Sequence, residues 1–437
     1  MKRFILSKRN LNSSFRHTLL ICTVMFYFSS TNGQELSDRN RPLVKSFQNF
    51  YNQNKPDSLF LLFSSKLKEK MPLEQTRAFN QQLLNQLGKL LKVEPDSISK
   101  FNTTYYIASF EKGILRLLIS SNESRKIKGI FLQPYKTENN SNKIKREQGL
   151  SIEVEGGEIK GTLLIPDGQG DVPLIILIAG SGPTDRNGNS IFTQNNSLMY
   201  LANELDDIGV ATFRYDKRGI GESANIKENE LATANDFVND IVEIIRQFKS
   251  DSRFYKTILL GHSEGSLLGV LASQREEVDG FISIAGPGFH LSHSLKQQIM
   301  ENLPSEQRDS ALFILNNLSK GNVVKSIPDD LNTLFSEKSQ IFLMSMFKYD
   351  PAVEIKKLDI PVLILQGDSD LQISIEDANR LKKAYPKADY VILKNMNHIM
   401  KEVGTDRKSN IETYYNPKIP IKKEIITHIG QFLKEVE

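Results

Sequence analysis

The chain has 437 residues, 39% of them hydrophobic and 25% charged, with no low-complexity, collagen-like or coiled-coil signature, so a globular protein with room for two hydrophobic cores is expected. Lys and Arg number 56 against 52 Asp and Glu, but five of the basic residues (Lys2, Arg3, Lys8, Arg9 and Arg16) lie in the first 33 positions, which hold no acidic residue. Taking five from 56 leaves 51 against 52, a nearly neutral remainder with no electrostatic footprint for nucleic acid, which is set aside as a partner.

The five basic residues precede an apolar run over 18–30 followed by small residues, the pattern of an export signal over residues 1–33 with cleavage near Asn32 to Gln34. The run is shorter than the ~20 residues a membrane-spanning helix needs, and no later segment is long and apolar enough. A periplasmic or extracellular protein without a membrane span is therefore expected. The single cysteine, Cys22, leaves with the signal, so the mature chain has no thiol, disulfide or cysteine metal site. Leu19-Leu20-Ile21-Cys22 faintly resembles a lipobox, but the apolar run continues through Thr23 to Phe28, which disfavours a lipoprotein; an uncleaved anchor is likewise the less favoured reading.

Residues 34–136 read as a small α+β unit. Helical spacing runs through 44–50 and again through 77–91, where Phe79, Leu83, Leu84, Leu87 and Leu91 recur, and strand-like runs follow at 105–110, 114–119 and 127–132. This order of elements resembles the nuclear-transport-factor-2-like domain that precedes some bacterial hydrolase domains. No catalytic cluster occurs in it, so a non-catalytic role is expected: substrate shielding, envelope binding, or a contact that builds a homo-oligomer. The Asn- and Lys-rich residues 137–149 read as a linker.

From 150 to 437 strands and helices alternate, the sign of a sheet with crossover helices. A hairpin over 151–155 and 159–165 precedes strands at 173–179, 210–215, 257–260, 281–285, 361–365 and 389–393. Helices are expected at 197–207, 236–248, 265–273, 375–384 and 423–436. One connection, residues 287–357, is long and helical in pattern, and it reads as a cap over the active site.

Gly261-His262-Ser263-Glu264-Gly265 fits G-x-S-x-G directly after one of these strands and directly before a helix. That is the context of a nucleophile elbow, a strained turn that presents a serine hydroxyl. A serine needs a base, and the six histidines allow elimination. His17 leaves with the signal, His262 is expected to point away from Ser263, His290 and His293 belong to the cap, and His428 falls in the last helix. His398, in the loop after the final strand, remains. Asp368 and Asp370, in the turn after the penultimate strand, are the candidates for the carboxylate that orients it. The backbone N–H of Glu264 offers one donor to a developing oxyanion.

These motifs together resemble the α/β-hydrolase superfamily over 150–437, and the two-part arrangement resembles two-domain secreted bacterial carboxylesterases of the serine-esterase and serine-aminopeptidase group. The resemblance implies an α/β-hydrolase fold, a mostly parallel eight-stranded sheet with helices on both faces and a helical cap. It also implies hydrolysis of short acyl esters without metal or organic cofactor. It favours Asp370 as the triad acid, with Asp368 as a turn-stabilising residue. Ala179-Gly180-Ser181-Gly182-Pro183 stands where the family has a His-Gly-x-Gly-Pro-type loop, so Ser181 is favoured over Gly182 for the second oxyanion amide. Asp216-Lys217-Arg218-Gly219-Ile220-Gly221-Glu222-Ser223 resembles the family's Asp-x-Arg-Gly-x-Gly-x-Ser turn, whose charges are expected to brace loops. Asp185 and Arg186 are expected to belong to a loop scaffold, contact with a polar substrate group being the alternative. An aminopeptidase or amidase on the same triad, acting on a short peptide or amide, is the runner-up; a non-catalytic scaffold is a third and lesser reading.

Overall fold

A computed structural model describes residues 40–99, 103–134, 146–168, 171–190, 193–223 and 232–436. The expected signal segment, with Cys22 and His17, lies outside the described residues, as does most of the expected linker.

Helices α1 (Arg41–Asn52), α2 (Pro56–Leu61), α3 (Ser65–Lys70) and α4 (Leu73–Leu87) lead into strands β1 (Leu90–Ser99), β2 (Thr103–Phe110), β3 (Gly113–Ser121) and β4 (Ile127–Pro134). The strands pair in the order β1-β2-β3-β4, all antiparallel, forming a small N-terminal domain. Val44, Phe47 and Tyr51 fall on one face of α1 and pack with Leu83, Tyr106, Leu117 and Ile119. The Tyr51 hydroxyl is satisfied by donating to the Gly88 carbonyl at 2.6 Å.

The helix expected over 77–91 ends at Leu87, because Gly88 takes a φ of 72° and turns the chain. Leu90 is fully buried and Leu91 is 62% exposed, the two-residue alternation of a strand rather than a helix face. Strand β1 was not expected from the sequence. Pro95 interrupts its apolar pattern, and β1 is an edge strand, where proline is tolerated.

The larger part contains the eight expected strands: β5 (Glu147–Val154), β6 (Gly157–Leu164) and β7 (Val172–Ile178), then α5 (Ser197–Asp206), β8 (Ala211–Tyr215), α6 (Ala234–Lys249), β9 (Phe254–His262), α7 (Glu264–Ser273) and β10 (Gly280–Ile284). Strand β5 opens inside the expected linker, because Glu147 already pairs with Leu164 across the hairpin and its carboxylate takes the Arg214 guanidinium. An insertion follows, built from α8 (Leu291–Asn302), α9 (Ser305–Leu318), α10 (Asn332–Phe335), α11 (Glu337–Met346) and α12 (Pro351–Ile355). The chain closes with β11 (Val362–Gly367), α13 (Ile375–Ala384), β12 (Asp389–Leu393), α14 (Arg407–Glu412) and α15 (Glu424–Glu435).

The sheet order is β12-β11-β10-β9-β7-β8-β6-β5, parallel from β12 through β8 and antiparallel at the β8, β6, β5 edge. Every residue of β7, β8, β10 and β11 is buried, as continuous apolar runs covered on both faces require. Alternation along β7 divides the core. Ile175 and Leu177 face α5 and α15, while Leu174, Ile176 and Ile178 face α6, α7 and α13.

The insertion has its own core of Ile299, Leu303, Ala311, Ile314, Leu315, Leu318, Leu331 and Phe335. It meets the rest where the Phe342 ring packs edge-on against Phe237 at 5.6 Å and the Ala234 amide donates to Ser345 Oγ at 2.8 Å. Its last helix, α12, belongs to the main core instead, through the fully buried Ile355.

Candidate active site

Ser263 follows β9, Asp370 follows β11 and His398 follows β12, all on the carboxyl side of parallel strands, where open α/β sheets gather functional loops. The insertion leaves the same side, after β10.

The turn at Ser263 is tight by necessity. Ser263 has φ 55° and ψ −125°, a conformation that non-glycine residues rarely hold, and its amide donates to the Ile284 carbonyl at 3.0 Å. A Cβ on Gly265 would stand 2.5 Å from the Ile178 carbonyl oxygen and 2.7 Å from that of Ala179, and one on Gly261 would strike the Gly265 carbonyl. Both glycines of the motif are therefore required by close backbone approach. Helix α7 begins at Glu264, whose N–H, in the first turn, has no intrahelical acceptor.

His398 and Asp370 are brought together and buried, with 2.9 Å between Nδ1 and Oδ2 and side-chain exposures of 4% and 1%. Because the carboxylate only accepts, Nδ1 carries the proton, which leaves the Nε2 lone pair as the basic site. Asp370 Oδ1 accepts from the amides of Gln372 at 2.7 Å and Ile373 at 3.0 Å, and Oδ2 also accepts from Gln366 Nε2 at 3.2 Å. Burial alone would raise the Asp370 pKa; His398 and the two amides outweigh it, so the carboxyl is held below its ordinary value. Asp368 is placed differently. Its Oδ1 accepts from the Asn395 amide at 2.6 Å and from Ser369 Oγ at 3.0 Å, tying the Asp370 loop to the His398 loop.

Residues 194–402 match the family described as Serine aminopeptidase, S33, and residues 44–130 match a family described only as a protein of unknown function. Esterase EstD of Thermotoga maritima is 25% identical over 336 residues, covering 75% of this chain and 78% of that protein. The chain has the α/β-hydrolase fold. Among solved structures, Est1E from Butyrivibrio proteoclasticus is 18% identical with a TM-score of 0.43, covering 65% of this chain and 99% of that one. A thermophilic esterase from Thermogutta terrifontis is 16% identical with a TM-score of 0.42, covering 66% and 99%.

Two residues near Ser263, His262 and Lys217, brace loops through partners that the sequence did not identify. His262 is buried, its ring centroid 4.9 Å from that of His398, and its Nε2 lies 2.7 Å from the His398 carbonyl oxygen. That oxygen can only accept, so His262 Nε2 is protonated and His262 is a neutral strut; burial, with His398 adding to it, pushes its pKa down to about 4. Lys217 is buried as well, its Nζ donating to the Gly180 carbonyl at 2.5 Å and lying 3.8 Å from Glu264 Oε1.

The remaining loop residues of the hydrolase form a scaffold. Asp185 Oδ1 accepts from the amides of Asn187 and Asn189, each at 2.9 Å. Arg186 is buried against Asp216 and Glu222, both at 2.6 Å, and Arg218 pairs with Asp240. His290 and His293 lie in the insertion, His290 against the Phe347 carbonyl at 2.8 Å and His293 stacked on Phe289. Ser181 is exposed, next to Gly180, whose Cβ position would be 3.1 Å from Ser263 Cβ. Among the described residues no group of three or more His, Cys, Asp or Glu is arranged to hold a metal ion, and no helix is long and apolar enough to cross a membrane.

Proposed function

We propose that this hydrolase cleaves carboxylic esters of short acyl chains through an acyl-enzyme intermediate. It is an enzyme of carboxylesterase type. Ser263 Oγ attacks the ester carbonyl while His398 Nε2 accepts its proton. The same proton passes to the departing alkoxide, and a water molecule, activated by His398, then releases the acid. Asp370 fixes the imidazole tautomer and stabilises its cation; the amides of Glu264 and Ser181 receive the oxyanion.

The observation that carries this reading is the buried Asp370–His398 pair at 2.9 Å on loops that flank the strained Ser263 turn. The likeness to Esterase EstD supports ester substrates. The matched family's description supports an aminopeptidase as second reading, but such an enzyme needs a carboxylate free to take the substrate's α-amino group. Glu264, the acidic residue next to Ser263, faces Lys217 instead, which favours esters. The N-terminal residues are read as an export signal, and the mature enzyme as acting outside the cytoplasm.

The test is hydrolysis of p-nitrophenyl esters of increasing chain length beside aminoacyl p-nitroanilides, with a Ser263→Ala control. Turnover of short esters that vanishes in the control is expected. A preference for anilides would move the reading to an aminopeptidase, and a folded chain inert to both and to a fluorophosphonate would end the catalytic reading.

A further inference from the structure

Strands β9, β7 and β8 are neighbours in the sheet, so the loops that follow them lie side by side at its carboxyl edge. Ser263 and Glu264 follow β9, Gly180 and Ser181 follow β7, and Lys217 follows β8. The Lys217 ammonium reaches from the third loop to the other two, donating to the Gly180 carbonyl at 2.5 Å and approaching the Glu264 carboxylate to 3.8 Å. The Phe237 ring lies 5.9 Å from the same nitrogen. Lys217 is 4% exposed and the Glu264 side chain 14%. A cation this deeply buried is costly unless its partners are well placed.

The Gly180 carbonyl and the Ser181 N–H belong to one peptide group, and that bond is trans. In a trans peptide the two point in opposite directions. A donor that fixes the carbonyl on one side therefore fixes the aim of the N–H on the other. A charged donor also polarises the peptide, which strengthens that N–H as a hydrogen-bond donor. The peptide is beside the nucleophile, since a Cβ on Gly180 would be 3.1 Å from that of Ser263. The same ammonium faces the side chain of Glu264, the residue whose own amide opens α7.

We infer that Lys217 is a positioning residue for the oxyanion site, setting the plane of the 180–181 peptide and linking it to Glu264 so that the two amide donors keep their separation. The inference rests on the acyl-transfer reading above. Lys217 touches neither substrate nor reacting atoms; it acts through the two residues that carry the donors. Burial draws its ammonium and the Glu264 carboxyl toward their neutral forms, each opposed by the other's charge, so the pair is coupled.

The experiment uses the full chain with wild type, Lys217→Met, Lys217→Gln and Ser263→Ala, each checked by thermal unfolding. Three readouts are taken: kcat and KM on p-nitrophenyl butyrate, affinity for a trifluoromethyl ketone that forms a tetrahedral adduct, and the rate of fluorophosphonate labelling at Ser263. Removing one oxyanion donor outright costs about 10²–10³ in kcat, so misaiming one in Lys217→Met is expected to lower kcat about 10–100-fold with KM within about twofold. Ketone affinity should fall by a similar factor, and Lys217→Gln, which keeps a donor for Gly180, should recover part of both. A folded Lys217→Met with kcat and ketone affinity within about twofold of wild type would overturn the inference, as would loss confined to the unfolding temperature. Should Lys217→Met not fold, Lys217→Ala, which likewise leaves Gly180 without a donor, decides on the same terms: lowered kcat and ketone affinity at unchanged KM support the role, and wild-type values overturn it. If wild type turns over no ester, the esterase reading fails by itself. Labelling of Ser263 then judges Lys217, a loss of about tenfold supporting it and an unchanged rate overturning it.

Discussion

His262 Nε2 donates a 2.7 Å hydrogen bond to the carbonyl oxygen of His398, so the residue before Ser263 supports the loop that carries His398. Buried and neutral, with its pKa pushed down to about 4 from 6.5, His262 binds fewer protons folded than unfolded between those values. Stability must then rise with pH across that window. The contribution is fully present above pH 6.5, declines as pH falls, and has disappeared near pH 4, a span worth about 3 kcal/mol. Chemical unfolding of wild type and His262→Gln at several pH values checks this. The variant should show a flatter stability curve between pH 4 and 6.5, and parallel curves would refute the assignment of a neutral buried histidine.

The two aspartates after β11 should separate sharply in kinetics. Asp370 holds His398 and is itself held by two amides, so Asp370→Asn leaves the geometry but favours the wrong imidazole tautomer, and kcat is expected to fall about 10³–10⁴-fold. Asp368 only ties loops, and Asp368→Asn should cost about 1 kcal/mol of stability while leaving kcat within about tenfold of wild type. Steady-state kinetics of both variants decides: equal losses would remove the ground for choosing Asp370, and a larger loss in Asp368→Asn would reverse the choice.

The positions of the eight strands and of the elbow were legible because each carries a local signal: an unbroken apolar run for a doubly covered strand, and two glycines around Ser263 that no other residue can replace. Strand β1 was not legible, because Leu90 to Ser99 mixes polar residues with a proline and its burial comes from α1 and β2 rather than from its own pattern. The struts behind the site were hidden for a different reason. Nothing in the neighbourhood of His262 or Lys217 in sequence reveals that one meets a carbonyl 136 positions away and the other a carbonyl 37 positions away.

The backbone at Ser263 is strained, which substitution can test. With φ at 55°, Ser263 sits where glycine is more at ease, so Ser263→Gly should abolish ester turnover yet raise stability by about 1 kcal/mol or more, whereas Ser263→Ala abolishes turnover without that gain. Gly265→Ala should do the reverse of Ser263→Gly, forcing a methyl against the Ile178 and Ala179 carbonyls and costing about 1–3 kcal/mol. Denaturant midpoints of the three variants check the order, and an unchanged midpoint in Ser263→Gly would remove the argument for strain.

Both stems of the helical insertion are held by α13, which begins five residues after Asp370. Asp377 Oδ1 accepts from the amides of Gly288 at 2.8 Å and Phe289 at 3.1 Å, while its Oδ2 completes a capping box with Ser374. One turn on, Arg380 forks onto Asp350 at 2.8 and 2.9 Å and also donates to the Gly288 carbonyl. Arg380 and Asp350 are partly exposed, so Arg380→Met should cost less than about 1 kcal/mol of stability. Its effect should fall on the seating of the insertion instead. On the proposal that the insertion caps the site and walls the acyl group, esters with longer acyl chains are expected to lose several-fold in kcat/KM, whereas the acetyl ester stays within about twofold of wild type. Asp377→Ala, which strands the buried Gly288 amide and the part-buried Phe289 amide, should show the same selectivity change with a larger stability loss of about 1–3 kcal/mol. Kinetics over a chain-length series checks the idea, and a uniform loss across all chain lengths would show that α13 supports the Asp370 loop rather than the insertion.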